Sequence, residues 1–461
     1  MEEGASTGST MLGGSSQDPP TPRLPTEICG RIIDHLAVGV DLNYTFEAGY
    51  PDLQALQSCA LVCRDWYFHA WYPLRRHVNL HDRNDVLSLS RTLRERPRVR
   101  GVVQQVAITG HGSGQRSPIQ HLGTFAAMLS GKLPELSRIN IEDAEWTVDS
   151  MRMECFGYLS AFRLVHTLDI TNVTVPSIAQ LARLLSALPG LRNLWFSTCD
   201  GLRPRSKTSL VQISQASRVH HLELGVDGDL KSSSALSRSQ ALLYASAASV
   251  EVLGLYIIPD SSMGSDTADS TVVERHLNLS HHESLRTLRI YLYHPFVAWS
   301  WIPHIVSRIP AKHLTTMSVV LIVRQNHAAN DLDGAVTMVE EDGTLLQLDD
   351  MLQAECFTDI TPGGICLGFD NPDNEWTLPE ELIGTESSSR ERRNRWDELI
   401  RRKMPRCNGR GILTTTHGFA ELDKWRCNMD EIHEATQHQK AIIGVEVQRE
   451  DDAEHAPDTS G

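Results

Sequence analysis

The chain lacks the marks of a secreted or membrane protein. Its first ten residues, MEEGASTGST, have neither a basic flank nor an apolar core, so no signal peptide is expected. No apolar run approaches the roughly 20 residues that span a bilayer, so no membrane partner is expected. Basic charge is in deficit: 43 Lys plus Arg stand against 58 Asp plus Glu, a formal net charge of -15. Such a surplus repels phosphate backbones and argues against a nucleic-acid partner. The one basic cluster (Arg390, Arg392, Arg393, Arg395, Arg401, Arg402 and Lys403) is spaced around Trp396, Leu399 and Ile400 like the solvated side of a helix. C-x-x-C pairs are absent and the nine cysteines are an odd number. Cys29, Cys59, Cys63 and Cys366 lie in apolar runs, where cysteine acts as a small hydrophobe. This usage suits a reducing compartment, the cytoplasm or nucleus.

Catalytic motifs are missing too. There is no G-x-S-x-G and no H-E-x-x-H. In Gly110, Gly112 and Gly114 the third glycine comes too early for a dinucleotide loop. His220 with His221, and His281 with His282, are adjacent pairs whose members would point to opposite faces of a strand, which makes them poor joint ligands. Asp227 and Asp229 flank a glycine and read as a turn; Glu340, Glu341 and Asp342 read as a solvated loop. No enzyme activity, cofactor or metal is expected, and the reading turns to binding.

What is present is a globular composition, 41% hydrophobic and 22% charged, in 461 residues, enough for roughly two to four domains. Residues 1–22 are rich in Gly, Ser, Thr and Pro and are expected to be disordered, as is the polar, acidic tail 430–461. Between 24 and 80 the apolar positions fall on helical faces in a segment too short to cover them. Pro25 suits the first turn of a helix. Ile28, Ile32 and Leu36 then form one stripe at i, i+4 and i+8, able to lie in a partner's groove.

From 82 to about 420 one pattern recurs: apolar, two spacers, apolar, one spacer, apolar. It appears as Val103-Val106-Ile108, Leu136-Ile139-Ile141, Val165-Leu168-Ile170 and Leu191-Leu194-Phe196. It continues as Val219-Leu222-Leu224, Val250-Leu253-Leu255, Leu285-Leu288-Ile290 and Leu314-Met317-Val319. The triplets start about 26 to 35 residues apart, a spacing typical of stacked repeats. The last two apolar residues share one face of a short strand. Between triplets the spacing turns helical, as in Val86-Leu89-Leu93, Leu122-Phe125-Leu129, Ile178-Leu181-Leu185-Leu188 and Ile302-Ile305-Ile309. Pro134 and Pro189 are expected to stop two of these helices. One such unit cannot bury its apolar face alone. Stacking predicts an α/β fold, a curved solenoid of strand-helix units with a strand-lined inner face. Acidic loops are expected at 325–363 and 370–395, and a last strand near Gly411 to Thr416.

The segment 23–80 resembles an F-box in Leu24, Pro25, Glu27, Ile28, Ile32, Ile33 and Leu36, then Leu61, Val62, Cys63, Arg64 and Trp66. Residues Val38 to Pro51 lengthen the link between these halves, an insertion that loop entropy tolerates. The region 82–420 resembles leucine-rich repeats, and the layout is similar to fungal F-box proteins with divergent repeats. Leu191 to Cys199 keeps the repeat's cysteine after the last apolar residue. The resemblance implies a three-helix F-box followed by a leucine-rich-repeat-like solenoid. It implies a substrate-recognition subunit of an SCF-type ubiquitin ligase, docked on a Skp-family adaptor and a cullin-based ligase. Leu24, Pro25, Glu27, Ile28, Ile32, Ile33 and Leu36 would meet the adaptor, while Leu61, Val62, Cys63 and Trp66 would form the F-box core. The protein target is not given by the sequence; Arg192, Arg286, Arg289 and the loops at 325–363 are the exposed candidates for holding it. The alternative is a scaffold that binds a protein partner without any ligase.

Overall fold

The computed structural model describes residues 25–42, 51–110, 116–197, 199, 219–227, 233–258, 277–292, 299, 301–310, 313–322, 336–337, 339–341, 343–370, 386–417 and 425. The disorder expected for 1–22 and 430–461 lies outside them, as do Leu24 and Asp229. The chain divides into two compact units, Met1–Arg76 and His77–Gly461.

Among the described residues the first unit holds three helices, α1 (Thr26–Leu42), α2 (Pro51–Val62) and α3 (Arg64–Arg76). Pro25 stands just before α1, and its carbonyl accepts the N–H groups of Ile28 and Cys29 at 3.0 and 3.1 Å. Helix α1 continues to Leu42, so part of the insertion expected from Val38 is helical and only 43–50 separate α1 from α2. Ile33, Ala37, Leu56, Cys59 and Ala70 form the core of this unit, with Leu36, Leu53, Ala60, Trp66 and Leu74 packed against it.

The second unit is an α/β array of strand-helix units. Its strands are β1 (His77–Leu80), β2 (Gln105–Thr109), β3 (Ser117–Pro118), β4 (Arg138–Glu145), β5 (Thr167–Thr174) and β6 (Asn193–Ser197). They continue as β7 (His221–Asp227), β8 (Val252–Ile258), β9 (Thr287–Leu292), β10 (Thr316–Ile322), β11 (Ile365–Asp370) and β12 (Leu413–His417). All twelve make one sheet in chain order, except that β3 pairs only with β4, and the pairings are parallel. Every triplet found in the sequence supplies a strand. The register sets equivalent positions side by side: Val106, Ile139, Leu168, Leu194, Leu222, Leu253, Leu288 and Met317 form one row, which Ile365 extends. Each of these side chains is at most 3% exposed, and each contributes about 1.5–3 kcal/mol by leaving water.

Helices connect the strands. Asp82 caps the helix Arg83–Glu95 through Asp85 N–H at 2.8 Å, and Ser177 caps Ile178–Ala187 through Gln180 N–H at 3.2 Å. In both helices the predicted apolar stripes face inward: Val86, Leu93, Ile178, Leu181 and Leu185 are buried. The helix Leu122–Leu129 stops before Pro134 is reached, and the chain turns through Gly131 at φ 68°, a conformation glycine adopts without cost.

Three expectations change. Residues 77–80 belong to the sheet rather than to the N-terminal module, since β1 pairs with β2. The segment 325–363 is not one acidic loop: it contains the helix Thr344–Met351 and a turn at Glu355–Phe357, with Leu345, Leu348, Leu352, Phe357 and Ile360 buried. Part of 370–395 likewise belongs to the helix Glu386–Lys403, which buries Trp396, Leu399 and Ile400 and turns Arg393, Arg395, Arg401 and Arg402 to solvent. Of the acidic residues that suggested loops, Glu340 is half-buried and Glu341 is exposed.

Candidate protein-docking surfaces

In the three-helix unit, helical phase decides which apolar residues face inward. On α1, Cys29, Ile33, Leu36 and Ala37 fall on one side, and Ile28 and Ile32 flank it a residue earlier. Ile33 is 1% exposed, whereas Ile28 and Ile32 are 41% and 39% exposed. The expected stripe is therefore divided. Pro25, Glu27, Ile28 and Ile32 are exposed, while Ile33 and Leu36 serve the unit's own core.

The expected core residues divide the other way. Trp66 packs against the cluster, but Leu61, Val62 and Cys63 are exposed, Leu61 at 87%. On α2 the inward face is Leu53, Leu56, Cys59 and Ala60, so Leu61 and Val62 rotate away from it. Cys63 then occupies the corner before α3. On α3, Trp66, Ala70 and Leu74 turn inward at spacings of four, leaving Tyr67, Phe68 and Tyr72 exposed. Tyr67 and Phe68 meet edge to face at 5.8 Å. The sequence reading missed these three aromatics because it followed the Trp66 side of the helix.

The second surface is the sheet face opposite the aliphatic rows, on which Trp195 is exposed and Arg289 half-buried while Asn140, Asp169, Glu223, Gly254, Ser318 and Cys366 are buried. Strand order equals chain order, so every crossover steps the same way, and right-handed connections place the helices on one face. The residue between the last two apolar positions of each triplet points to the other face. Register aligns Asn140, Asp169, Trp195, Glu223, Gly254, Arg289, Ser318 and Cys366 there. Reading that middle position from each triplet would have found this row.

Its polar members pair across strands. Arg138 donates to Asp169 at 3.1 Å and to Asn140 at 3.0 Å, and Asn140 donates to Glu142 at 3.3 Å. Burial raises the Asp169 pKa, opposed by Arg138 and by the Thr171 hydroxyl. Burial, then the neighbouring Asp169 carboxylate, pushes Glu142 up to about 7. His221 Nε2 lies 2.6 Å from Glu223 Oε1, and Arg289 approaches the same oxygen at 3.7 Å. Gly254 stands between β7 and β9 and leaves room for the Glu223 carboxylate. Asp143 and Asn172 both adopt positive φ, 47° and 54°, and the β4–β5 register skips them. Asn172 donates to Asp143 at 2.6 Å across this gap in the ladder.

The three arginines expected to hold a target do not form a group. Arg192 is exposed, Arg286 is half-buried and lies 3.9 Å from Glu251, and Arg289 is turned into the Glu223 pairing. His220 is exposed and 3.4 Å from Glu251, whereas His221 faces Glu223. His281 is exposed and His282 is buried, which lowers its pKa to about 4. Among the described residues no cluster of His, Cys, Asp or Glu could hold a metal ion, and no helix is long and apolar enough to cross a membrane.

No family model matches the chain, and no curated protein is significantly similar to it.

Proposed function

We propose that this chain is a substrate-recognition subunit of an SCF-type ubiquitin ligase, working in the cytoplasm or nucleus. The first unit would dock on a Skp-family adaptor, and the sheet would hold the protein to be ubiquitinated. One observation carries the reading. The three-helix unit completes a core with Ile33, Leu56, Cys59 and Ala70, yet leaves Ile28, Ile32, Leu61, Val62, Tyr67, Phe68 and Tyr72 exposed. So many exposed large apolar side chains on three short helices support a protein-docking role for this unit. The F-box resemblance supplies the partner, because Pro25, Glu27, Ile28 and Ile32 of its motif are exposed. The parallel strand-helix array fits a leucine-rich-repeat-like target domain, which presents a broad strand face to its ligand.

The test is capture of a purified Skp-family adaptor by the full chain. Micromolar or tighter binding that is lost in an Ile28→Asp, Ile32→Asp double variant supports the reading. No adaptor binding at micromolar concentration rejects it and leaves a ligase-free interaction scaffold.

A further inference from the structure

Among the described residues the sheet ends at β12, which pairs with β11 and with no other strand. Its apolar positions are less covered than those of the strands before it. The row that starts at Val106 and reaches Ile365 is at most 3% exposed, and it continues in Leu413, which is half-buried. The next row, which starts at Ile108 and reaches Leu367, is at most 6% exposed and continues in Thr415, again half-buried. An edge strand presents backbone N–H and C=O groups ready to pair with a further strand.

Beyond β12 the sequence carries the triplet again. Ile442, Val445 and Val447 repeat the order apolar, two spacers, apolar, one spacer, apolar. They lie outside the described residues, in the tail that composition reads as disordered. Val445 follows Leu413 by about 32 residues, inside the spacing of the other triplets. Residues 442–447 hold four β-branched side chains and no proline, a composition that suits a strand. Trp425 gives the direction of approach. Its ring N–H donates at 2.9 Å to the carbonyl of Gly363, just before β11. After β12 the chain has therefore returned to the end of the sheet where the parallel strands begin. About 17 residues separate Trp425 from Ile442. At up to about 3.3 Å each they easily cover the two strand spacings, about 4.8 Å apiece, from β11 to the far side of β12.

We propose that residues 442–447 add to the outer edge of β12 as a further parallel strand, with Val445 beside Leu413 and Val447 beside Thr415, and close this end of the array. The occupant is the chain's own segment because its pattern, its spacing and the point of return all match the units before it. Glu446 then falls in the row of Cys366 and Thr414 on the opposite face. The added strand covers Leu413 and Thr415 and denies the edge to a second chain.

The experiment is disulfide trapping in the full chain. Thr415→Cys combined with Val447→Cys is treated with oxidised glutathione, and the 415–447 bond is identified by peptide mass spectrometry in the monomer fraction. Thr415→Cys with Glu446→Cys is the control, since a shift of one residue turns the side chain to the other face. The expected result is a 415–447 bond within one chain, formed at least five-fold faster than 415–446. In the unaltered chain, amide hydrogen exchange of residues 442–447 should be at least ten-fold slower than in a free peptide of the same sequence. Exchange at the rate of the free peptide overturns the proposal without relying on any variant. So does the absence of a 415–447 bond in a double variant that melts like the unaltered chain. Equal trapping at 446 and 447 means a segment without register, and 415–447 bonds found only between chains assign the edge to a second copy; each overturns the proposal as well.

Discussion

The carboxylate of Glu223 occupies the space that a side chain on Gly254 would fill: a Cβ built on that glycine would overlap Glu223 Oε2. The two residues are register partners on adjacent strands. Glutamate ends are normally free to swing aside, but Glu223 is 3% exposed and holds His221 at 2.6 Å and Arg289 at 3.7 Å. Moving it breaks both pairings in a buried setting. Gly254→Ala is therefore expected to destabilise the sheet by about 1–3 kcal/mol, although the backbone there needs no glycine-specific conformation. Urea unfolding of the variant, alone and combined with Glu223→Ala, checks this. In the double variant most of the loss from Gly254→Ala should disappear.

Trp425 should matter to stability in spite of its distance in sequence from the strands it covers. Truncating a buried tryptophan costs about 3–5 kcal/mol where the site cannot collapse. Trp425→Ala should lie near the upper figure, because it also leaves the Gly363 carbonyl without its 2.9 Å partner. Trp425→Phe keeps part of the ring packing but loses that hydrogen bond and some volume, so an intermediate cost of about 1–3 kcal/mol is expected. Denaturant midpoints of the two variants separate ring from hydrogen bond.

Ile28 and Ile33 are isoleucines of one helix with opposite duties. Ile33→Ala should cost about 2–4 kcal/mol, because Ile33 is 1% exposed in the three-helix core. Ile28→Ala, at 41% exposure, should change stability by under about 0.5 kcal/mol. If the adaptor reading holds, the same Ile28→Ala change should weaken adaptor capture at least ten-fold. Melting curves and a pull-down on both variants distinguish the duties.

Glu142 makes stability depend on pH. Its pKa is raised from 4.5 to about 7 in the folded chain, by burial first and then by Asp169. Between those values the folded state holds a proton that the unfolded state has released, so stability from this group falls as pH rises from about 4.5 to 7. Asp143 and Asp169 push the same way, while Asn140 and Arg138 oppose them. Glu142→Gln removes the ionisation and is expected to stabilise the chain by about 1–3 kcal/mol at pH 8 and not at pH 4. Unfolding at the two pH values tests the sign.

Much of the sheet was legible because its constraint is local and repeats. Each triplet needs two apolar side chains two residues apart, and that spacing survives in Leu168 and Ile170 as clearly as in Leu253 and Leu255. Strands β1 and β11 escaped for the same reason. The place of their first apolar residue is taken by Arg75 and Pro362, so the three-point pattern is incomplete although the pairings Val78 with Val106 and Met317 with Ile365 are regular.

The sequence by itself determined that apolar triplets separated by helical spacers would form a stacked α/β array, because a strand-helix unit cannot cover its own apolar face. It also determined that the N-terminal segment held more apolar positions than three short helices can bury. Tertiary structure alone decided which of those positions remain in contact with water. Ile28 and Ile33 carry the same side chain, and helical phase against α2 and α3 separates them. Likewise only the fold brought Trp425 into one buried cluster with Tyr291, Val320, Ile322 and Cys366. A local pattern fixes which face a residue takes in its own element, but what covers that face comes from residues far away in the chain.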